Sequence, residues 1–303
     1  MHQSFAEISP KVVCRPALLL DTPGMLALCS QIWEGDDYIP DAWDEWLLDS
    51  DGVLAIAELV GRVVGIGKLT KLSENNWWLE GLRVHPEFEG KGIASHIHKY
   101  LLDIWEKSAS GKIRFATVNS REAVKHLAEV NGFQRVGEYS TFKSRVMDSM
   151  SENMDQFSLI KSSEKRKIIQ WLDSSSKDRL PFGLMDLGWQ FAPPSEQYFA
   201  EFINANQVWW WRNDKGILIL VKKEENLESW GRVRMLACDR NDLVELISHT
   251  QILAAQIGYV GISWLAPLIP GIEQITAEAG LVRDWDLSLL IFEKSSKGWI
   301  PGI

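Results

Sequence analysis

The spacing of apolar residues along this chain switches between two periods in a regular order. Runs at 53–59 and 63–69, joined about Gly61, predict a hairpin, and the β-prone run 77–84 predicts the next strand. Ile93, Ile97, Tyr100, Leu101, Ile104 and Trp105 then recur at helical spacing, which predicts a long helix. Before these come a short strand over 12–15, a helix capped by Asp21 and running towards Trp33, and a helix capped by Asp41 with Trp43, Trp46 and Leu47 on one face. After them come a strand over 113–118 ending at Asn119, a helix over 121–130, and a pair of short strands about Gly137 within 133–143.

Residues 144–156, rich in Ser, Met and Asp, read as a linker. Beyond it the order begins again. Strands are predicted at 157–160, 208–211, 217–221, 232–237, 260–265 and 288–292, and helices at 164–172, 196–203, 242–257 and 272–279. Ala279-Gly280-Leu281-Val282 closes this half as Asn131-Gly132-Phe133-Gln134 closes the first, about one domain length apart. The chain therefore reads as a tandem repeat of a mixed α/β (α+β) fold, a central mixed sheet flanked by helices in each half. The expected domains are 1–145 and 155–303.

Composition narrows the partners. A 303-residue chain with 46% hydrophobic and 24% charged residues can bury two ordinary cores. A net charge of −9 argues against nucleic acid or an anionic membrane and suits a cationic amine. Three widely spaced cysteines form neither a disulfide framework nor a CxxC metal pattern. The N-terminus lacks the layout of a signal peptide and no apolar run reaches membrane-spanning length, so a cytoplasmic monomer or homodimer is expected. Most of the fifteen tryptophans, Trp209-Trp210-Trp211 among them, are read as packing residues.

The candidate chemistry lies between the strand 77–84 and the long helix. Glu89-Gly90-Lys91-Gly92-Ile93-Ala94 places glycines where the chain enters a helix, which makes either a tight turn or an anion site built of free N–H groups. No GxxxxGK[ST] and no GxGxxG after an early strand accompanies it. With the strand before it and Gly132-Phe133 after it, the turn resembles the [QR]xxG-x-[GA] element of the GNAT superfamily of acetyl-CoA-dependent N-acyltransferases, over roughly residues 12–143. Asp37-Tyr38-Ile39-Pro40, Trp46-Leu47 and Glu80-Gly81-Leu82-Arg83-Val84 further resemble the histidine N-acetyltransferase-like branch.

The resemblance implies acetyl-CoA as cofactor and a small-molecule amine as acceptor. It implies that Leu82, Arg83 and Val84 line the pantetheine, that Glu89, Gly90, Lys91, Gly92, Ile93, Ala94 and Ser95 take the pyrophosphate, and that Asn119 joins them. Glu80, four residues before Val84, is the expected base, because the attacking amine must be neutral. Tyr38 and Asp37 in the acidic loop are the expected substrate contacts. Two positions depart from the pattern: Glu89 stands where Gln or Arg is usual, and Ala128 where many relatives carry a Tyr that protonates the leaving thiolate. The second half has Ala237-Cys238-Asp239-Arg240-Asn241-Asp242 at its turn, without glycine, and Arg232 and Arg234 where the first half has Glu80. That copy is read as degenerate and non-catalytic. A non-catalytic acyl-CoA-binding module and a protein or peptide N-acetyltransferase are the alternative readings.

Overall fold

The hairpin expected about Gly61 forms, and its two strands extend into a sheet that the next strand continues. A computed structural model describes residues 11–108, 111–146, 156–174 and 179–297. In chain order the first half holds β1 (Val13–Pro16), α1 (Thr22–Cys29), α2 (Ile39–Leu48), β2 (Val53–Leu59), β3 (Arg62–Ser73), β4 (Asn76–Val84), α3 (Ile93–Ser108), β5 (Lys112–Val118), α4 (Glu122–Val130) and β6 (Gln134–Arg145). The second holds β7 (Phe157–Leu159), α5 (Lys165–Asp173), β8 (Met185–Asp186), β9 (Phe191–Ala192), α6 (Glu196–Asn204), β10 (Val208–Trp211), β11 (Gly216–Glu225), β12 (Glu228–Cys238), α7 (Leu243–Gln256), β13 (Gly261–Pro267), α8 (Ile272–Glu278), β14 (Val282–Arg283) and β15 (Leu289–Ser295).

The described residues form two compact units. Unit 1 falls within 11–115, 127–133 and 293–297, and unit 2 within 116–126 and 134–292. The units therefore do not follow the linear division at 145–155, and the reason lies in strand pairing. β6 is one continuous strand rather than two short ones, and its second half pairs antiparallel with β13, from Tyr139↔Pro267 to Arg145↔Gly261. The C-terminal end of β15 lies next to β5 and completes unit 1. There Ser296 N–H donates to the Gly111 carbonyl (2.9 Å), and Gly111 N–H donates to Ser296 Oγ (3.1 Å).

In unit 1 the strands run in the order β1-β2-β3-β4-β5, antiparallel up to β4. Side chains alternate between the two faces. Ile56 and Ile66 join a core with Met25 and Leu28 of α1 and with Ile39 and Trp43 of α2. Gly65 and Gly67, on the other face, lie under Ile97 of α3. The helices thus take opposite faces of the sheet, and Ile93, Ile97, Leu101 and Trp105 form the buried stripe of α3. Two helix starts differ from expectation. Asp21 pairs with Arg15 (2.7 Å) and accepts Leu18 N–H (2.7 Å) instead of capping α1. The second helix begins at Ile39, whose N–H donates to Asp37 Oδ1 (3.3 Å), so Asp41 lies inside its first turn.

His98, on α3, is 5% exposed and packs against Phe115 (6.0 Å) and Phe133 (5.6 Å), with Nε2 lacking a hydrogen-bond partner. Burial, and secondarily Lys294, pushes its imidazole down to about 4. The fold keeps His98 neutral, whereas the unfolded chain takes up a proton as pH falls below the ordinary value near 6.5. The resulting loss of stability grows as pH falls from about 6.5 and is complete below about 4. In urea unfolding, His98→Phe is expected to lose about 2–3 kcal/mol less than the wild type between pH 7 and pH 4.5. An equal pH dependence in both proteins would contradict this account.

In unit 2 the order is β15-β6-β13-β12-β11-β10-β7. α7 packs on a core of Trp209, Trp211, Leu218, Leu220, Val233, Ile247 and Trp264. All three residues of Trp209-Trp210-Trp211 are buried on β10, as packing residues should be. β8 and β9 form a two-residue hairpin, too short to show any periodicity in the sequence.

Candidate active site

The site grows out of an irregularity in β4. Its register with β3 passes from Lys68↔Glu80 to Ile66↔Arg83, so β4 carries an extra residue there, a β-bulge. Gly81 supplies the φ of +64° that the bulge needs, and the Trp46 indole packs so closely that a Cβ would meet it at 2.7 Å. Parallel pairing of β4 with β5 covers only Asn76, Trp77 and Trp78 against Lys112, Ile113 and Arg114. From Leu79 to Val84 that edge of β4 has no paired strand among the described residues. An open strand edge presents backbone donors and acceptors to an extended ligand.

The edge leads into the glycine turn. His85 Nδ1 accepts Glu87 N–H (3.3 Å), and Arg62 reaches both His85 Nε2 (2.7 Å) and Glu87 (3.1 Å), which fixes the chain between β4 and α3. Gly90 and Gly92 adopt φ of +72° and +77°, and nothing lies within 4 Å of where a Gly90 Cβ would be. Glu89 is exposed and extended, with its N–H donated to the Pro86 carbonyl (3.2 Å). Lys91 Nζ donates to the Glu87 carbonyl (2.9 Å) and sits over the Phe88 ring (4.8 Å). Ile93 is buried as the first residue of α3, Ala94 is half-buried, and Ser95 is exposed. The backbone therefore offers an uncovered helix N-terminus, where N–H groups and the helix dipole favour an anion.

Glu80 lies on the other face of the sheet, the one carrying α1 and α2. Thr70 Oγ1 donates to its Oε1 (2.5 Å). Tyr38 stands beside it, its ring edge-on to Trp46 (6.1 Å). Burial raises the Tyr38 pKa; Arg83 opposes this, and Glu80 and Asp37 add to it, so the hydroxyl keeps its proton at neutral pH. Asp37 is buried and held bidentately by Arg83 (2.9 and 3.1 Å). The Arg83 guanidinium also stacks on Trp33 (4.4 Å) and Tyr38 (5.3 Å) and donates to the Leu82 carbonyl (3.1 Å). Asp37 thus fixes Arg83, and through it the aromatic loop. The exposed carboxylates of this segment include Asp36, Asp41, Asp44 and Glu45. Thr70 was not singled out from the sequence, and Trp33 was read there only as the end of a helix. Thr70 stands opposite Trp78 in the β3–β4 register, so a side chain two residues from Lys68 and beside Glu80 was findable once that pairing was drawn.

Two expected positions remain. Asn119 belongs to unit 2, where its N–H donates to the Ser288 carbonyl (2.9 Å) and its Oδ1 is buried without a hydrogen-bond partner. Ala128 is fully buried on α4. Unit 2 repeats the bulge, with Arg234 as the extra residue of β12, and the short parallel pairing, which ends at Val233↔Trp264. At its turn Arg240 donates to the Pro270 carbonyl and Arg179 pairs with Asp239 (2.7 Å), so side chains cross where the first copy leaves an open glycine turn. Among the described residues no cluster of three or more His, Cys, Asp or Glu side chains could hold a metal ion, and no helix is long and apolar enough to cross a membrane.

Residues 23–133 match the family model described as Acetyltransferase (GNAT) family. This segment is a GNAT acetyltransferase domain. A histidine N-acetyltransferase of Oreochromis niloticus is 28% identical over 85 residues, which are 28% of this chain and 25% of that protein. The matched segment thus spans about a quarter of the length of that relative. Two solved structures extend the fold likeness to nearly the whole chain. A GCN5-related N-acetyltransferase from Sphaerobacter thermophilus aligns with a TM-score of 0.61 at 12% identity, covering 95% of this chain and 97% of the other. A tandem GNAT protein from the clavulanic acid biosynthesis pathway aligns with a TM-score of 0.55 at 12% identity, covering 94% and 98%. The chain has the tandem GNAT fold read from its sequence.

Proposed function

We propose that unit 1 transfers an acetyl group from acetyl-CoA to the primary amine of a small molecule such as an amino acid. The observation that carries this reading is the open β4 edge ending at an uncovered glycine turn, with Glu80 on the opposite side of the bulge. The backbone of Leu82, Arg83 and Val84 would hold the pantetheine, and the turn from Glu89 to Ser95 the pyrophosphate. Glu89 fits because its exposed side chain leaves the turn's interior to backbone groups. When bound, acetyl-CoA supplies a thioester whose acyl carbon accepts a nucleophile.

The chain's own residues would prepare that nucleophile. An amine arrives as an ammonium ion, drawn by the net charge of −9 and by the exposed Asp36, Asp41, Asp44 and Glu45. Glu80 takes a proton from it, directly or through water, and Thr70 fixes the carboxylate that does so. Tyr38, held as a phenol with its ring against Trp46, offers a proton donor beside Glu80. Unit 2 is proposed to be non-catalytic, because its turn is crossed by Arg240 and lacks glycine.

Thiol release from acetyl-CoA, measured with histidine, other amino acids, polyamines and peptides, tests the reading. Turnover with a free amino acid or polyamine and one calorimetric CoA site per chain is the expected result. CoA binding without turnover on any acceptor would make unit 1 a binding module, activity on peptides alone would move the acceptor to a protein, and two CoA sites would sink the division of labour.

A further inference from the structure

Away from this site, unit 2 buries a positive charge that its surroundings do not fully answer. Arg232 of β12 is 5% exposed. Its Nη1 donates to Ser263 Oγ (3.2 Å), while its Nη2 is buried with no hydrogen-bond partner. The nearest carboxylate is Asp186 of β8, whose Oδ2 lies 3.7 Å from that nitrogen, beyond hydrogen-bond length. Asp186 is itself 4% exposed and already engaged. Its Oδ1 accepts N–H from Gly188 (2.8 Å) and Trp189 (2.9 Å), and its Oδ2 accepts Arg234 Nη1 (3.0 Å). Two guanidinium groups thus share one carboxylate. Glu225 acts on Arg232 electrostatically, but its own oxygens are bound by Lys143 (3.2 Å) and Lys223 (3.0 Å).

An unanswered buried charge is costly, and a planar guanidinium with a free N–H is best answered by a carboxylate. Trp189 provides the cover. It is 52% exposed with φ +71°, and Arg232 Cζ stands 5.5 Å from its ring. The Arg234 side chain is 20% exposed and gives the cluster its opening to solvent. We propose that Arg232 and Arg234, beneath Trp189, form a binding site in unit 2 for a small carboxylate. The charge balance also sets the class of ligand. A simple acid or an N-acylated amino acid brings a net negative charge, whereas a free amino acid brings an ammonium that the arginine pair repels. The proposal is independent of acetyl transfer in unit 1.

The test uses the full-length chain at constant ionic strength, with sodium chloride exchanged for sodium acetate or sodium N-acetylglycine, and glycine as the zwitterionic control. At ten times the dissociation constant either carboxylate is expected to raise Tm by about 2–4 °C, and glycine by clearly less. Calorimetry should lose the binding heat in Arg232→Met, which also separates this site from any affinity of unit 1 for the same acids. Should Arg232→Met fail to fold, Arg234→Gln serves, with affinity expected to fall about tenfold or more as one charge-assisted bond is removed. Equal carboxylate binding by the wild type and by whichever variant folds would overturn the proposal. So would equal shifts with glycine, or no response of the wild type to either carboxylate.

Discussion

Glu80→Gln is expected to lower kcat for amine acetylation by about 10²–10⁴-fold, the usual contribution of a positioned general base. The replacement keeps the shape of the side chain and an oxygen able to accept the Thr70 hydroxyl hydrogen bond, so the bulge and its packing should be undisturbed. What it removes is the capacity to take a proton from the acceptor. KM for acetyl-CoA and Tm should therefore stay close to the wild type, and the loss should fall on kcat alone. A supporting result is recovery of part of the rate at high pH, where the amine is neutral without help. Undiminished kcat at neutral pH would remove Glu80 from the role, and a large fall in Tm would show a structural one instead.

The largest expected effect on stability belongs to Glu293→Ala. In unit 1 the Glu293 carboxylate receives Arg114 Nε (2.7 Å) and Nη2 (2.6 Å) together with Lys112 Nζ (2.6 Å). Arg114 is 1% exposed and also donates from Nη1 to Asn76 Oδ1 (2.9 Å), so one guanidinium ties β4 and β5 to the last strand. Truncating Glu293 leaves that buried charge short of its counter-ion, a change that costs about 3–5 kcal/mol. Denaturant unfolding followed by circular dichroism should show the loss, with Tm lower by about 10 °C or more. Arg114→Met combined with Glu293→Met should recover most of it, since removing both charges leaves none buried alone. A loss below about 1 kcal/mol in Glu293→Ala would mean that water already answers Arg114.

The elements of this fold were legible because most are long enough to show their period. α3 is the clearest example, with its buried Ile93, Ile97, Leu101 and Trp105, and β2 to β4 follow it. The glycine turn was legible for a local reason too, since backbone with positive φ at a helix start calls for glycine. Strand partners were another matter. Nothing in the spacing of residues 134–145 says that they pair with β13, nor that the last strand lies beside β5, because pairing is decided by contacts far apart in sequence. The two expected short strands about Gly137 merge into β6 for the same reason.

The site divides along the same line. Glu80 was read through the resemblance, from its place four residues before Val84, and the structure sets Thr70 and Tyr38 beside it. Asp37 was read as a substrate contact in an acidic loop; it is buried against Arg83, a pairing 46 positions apart that no local pattern announces. Conversely, Arg232 and Arg234 were noticed only as a departure from Glu80. Their interest comes from Asp186, which reaches them on a hairpin too short to read.

The place of β15 also sets a schedule for synthesis. The edge of β5 that unit 1 needs to close is synthesised by residue 118, while Glu293 and Ser296 follow about 175 residues later. At about 5–20 residues per second, that edge waits roughly 10–35 s for its partner. During that interval it is an unpaired strand of the kind that other chains can join. Unit 1 can close only after the whole of unit 2 has been made.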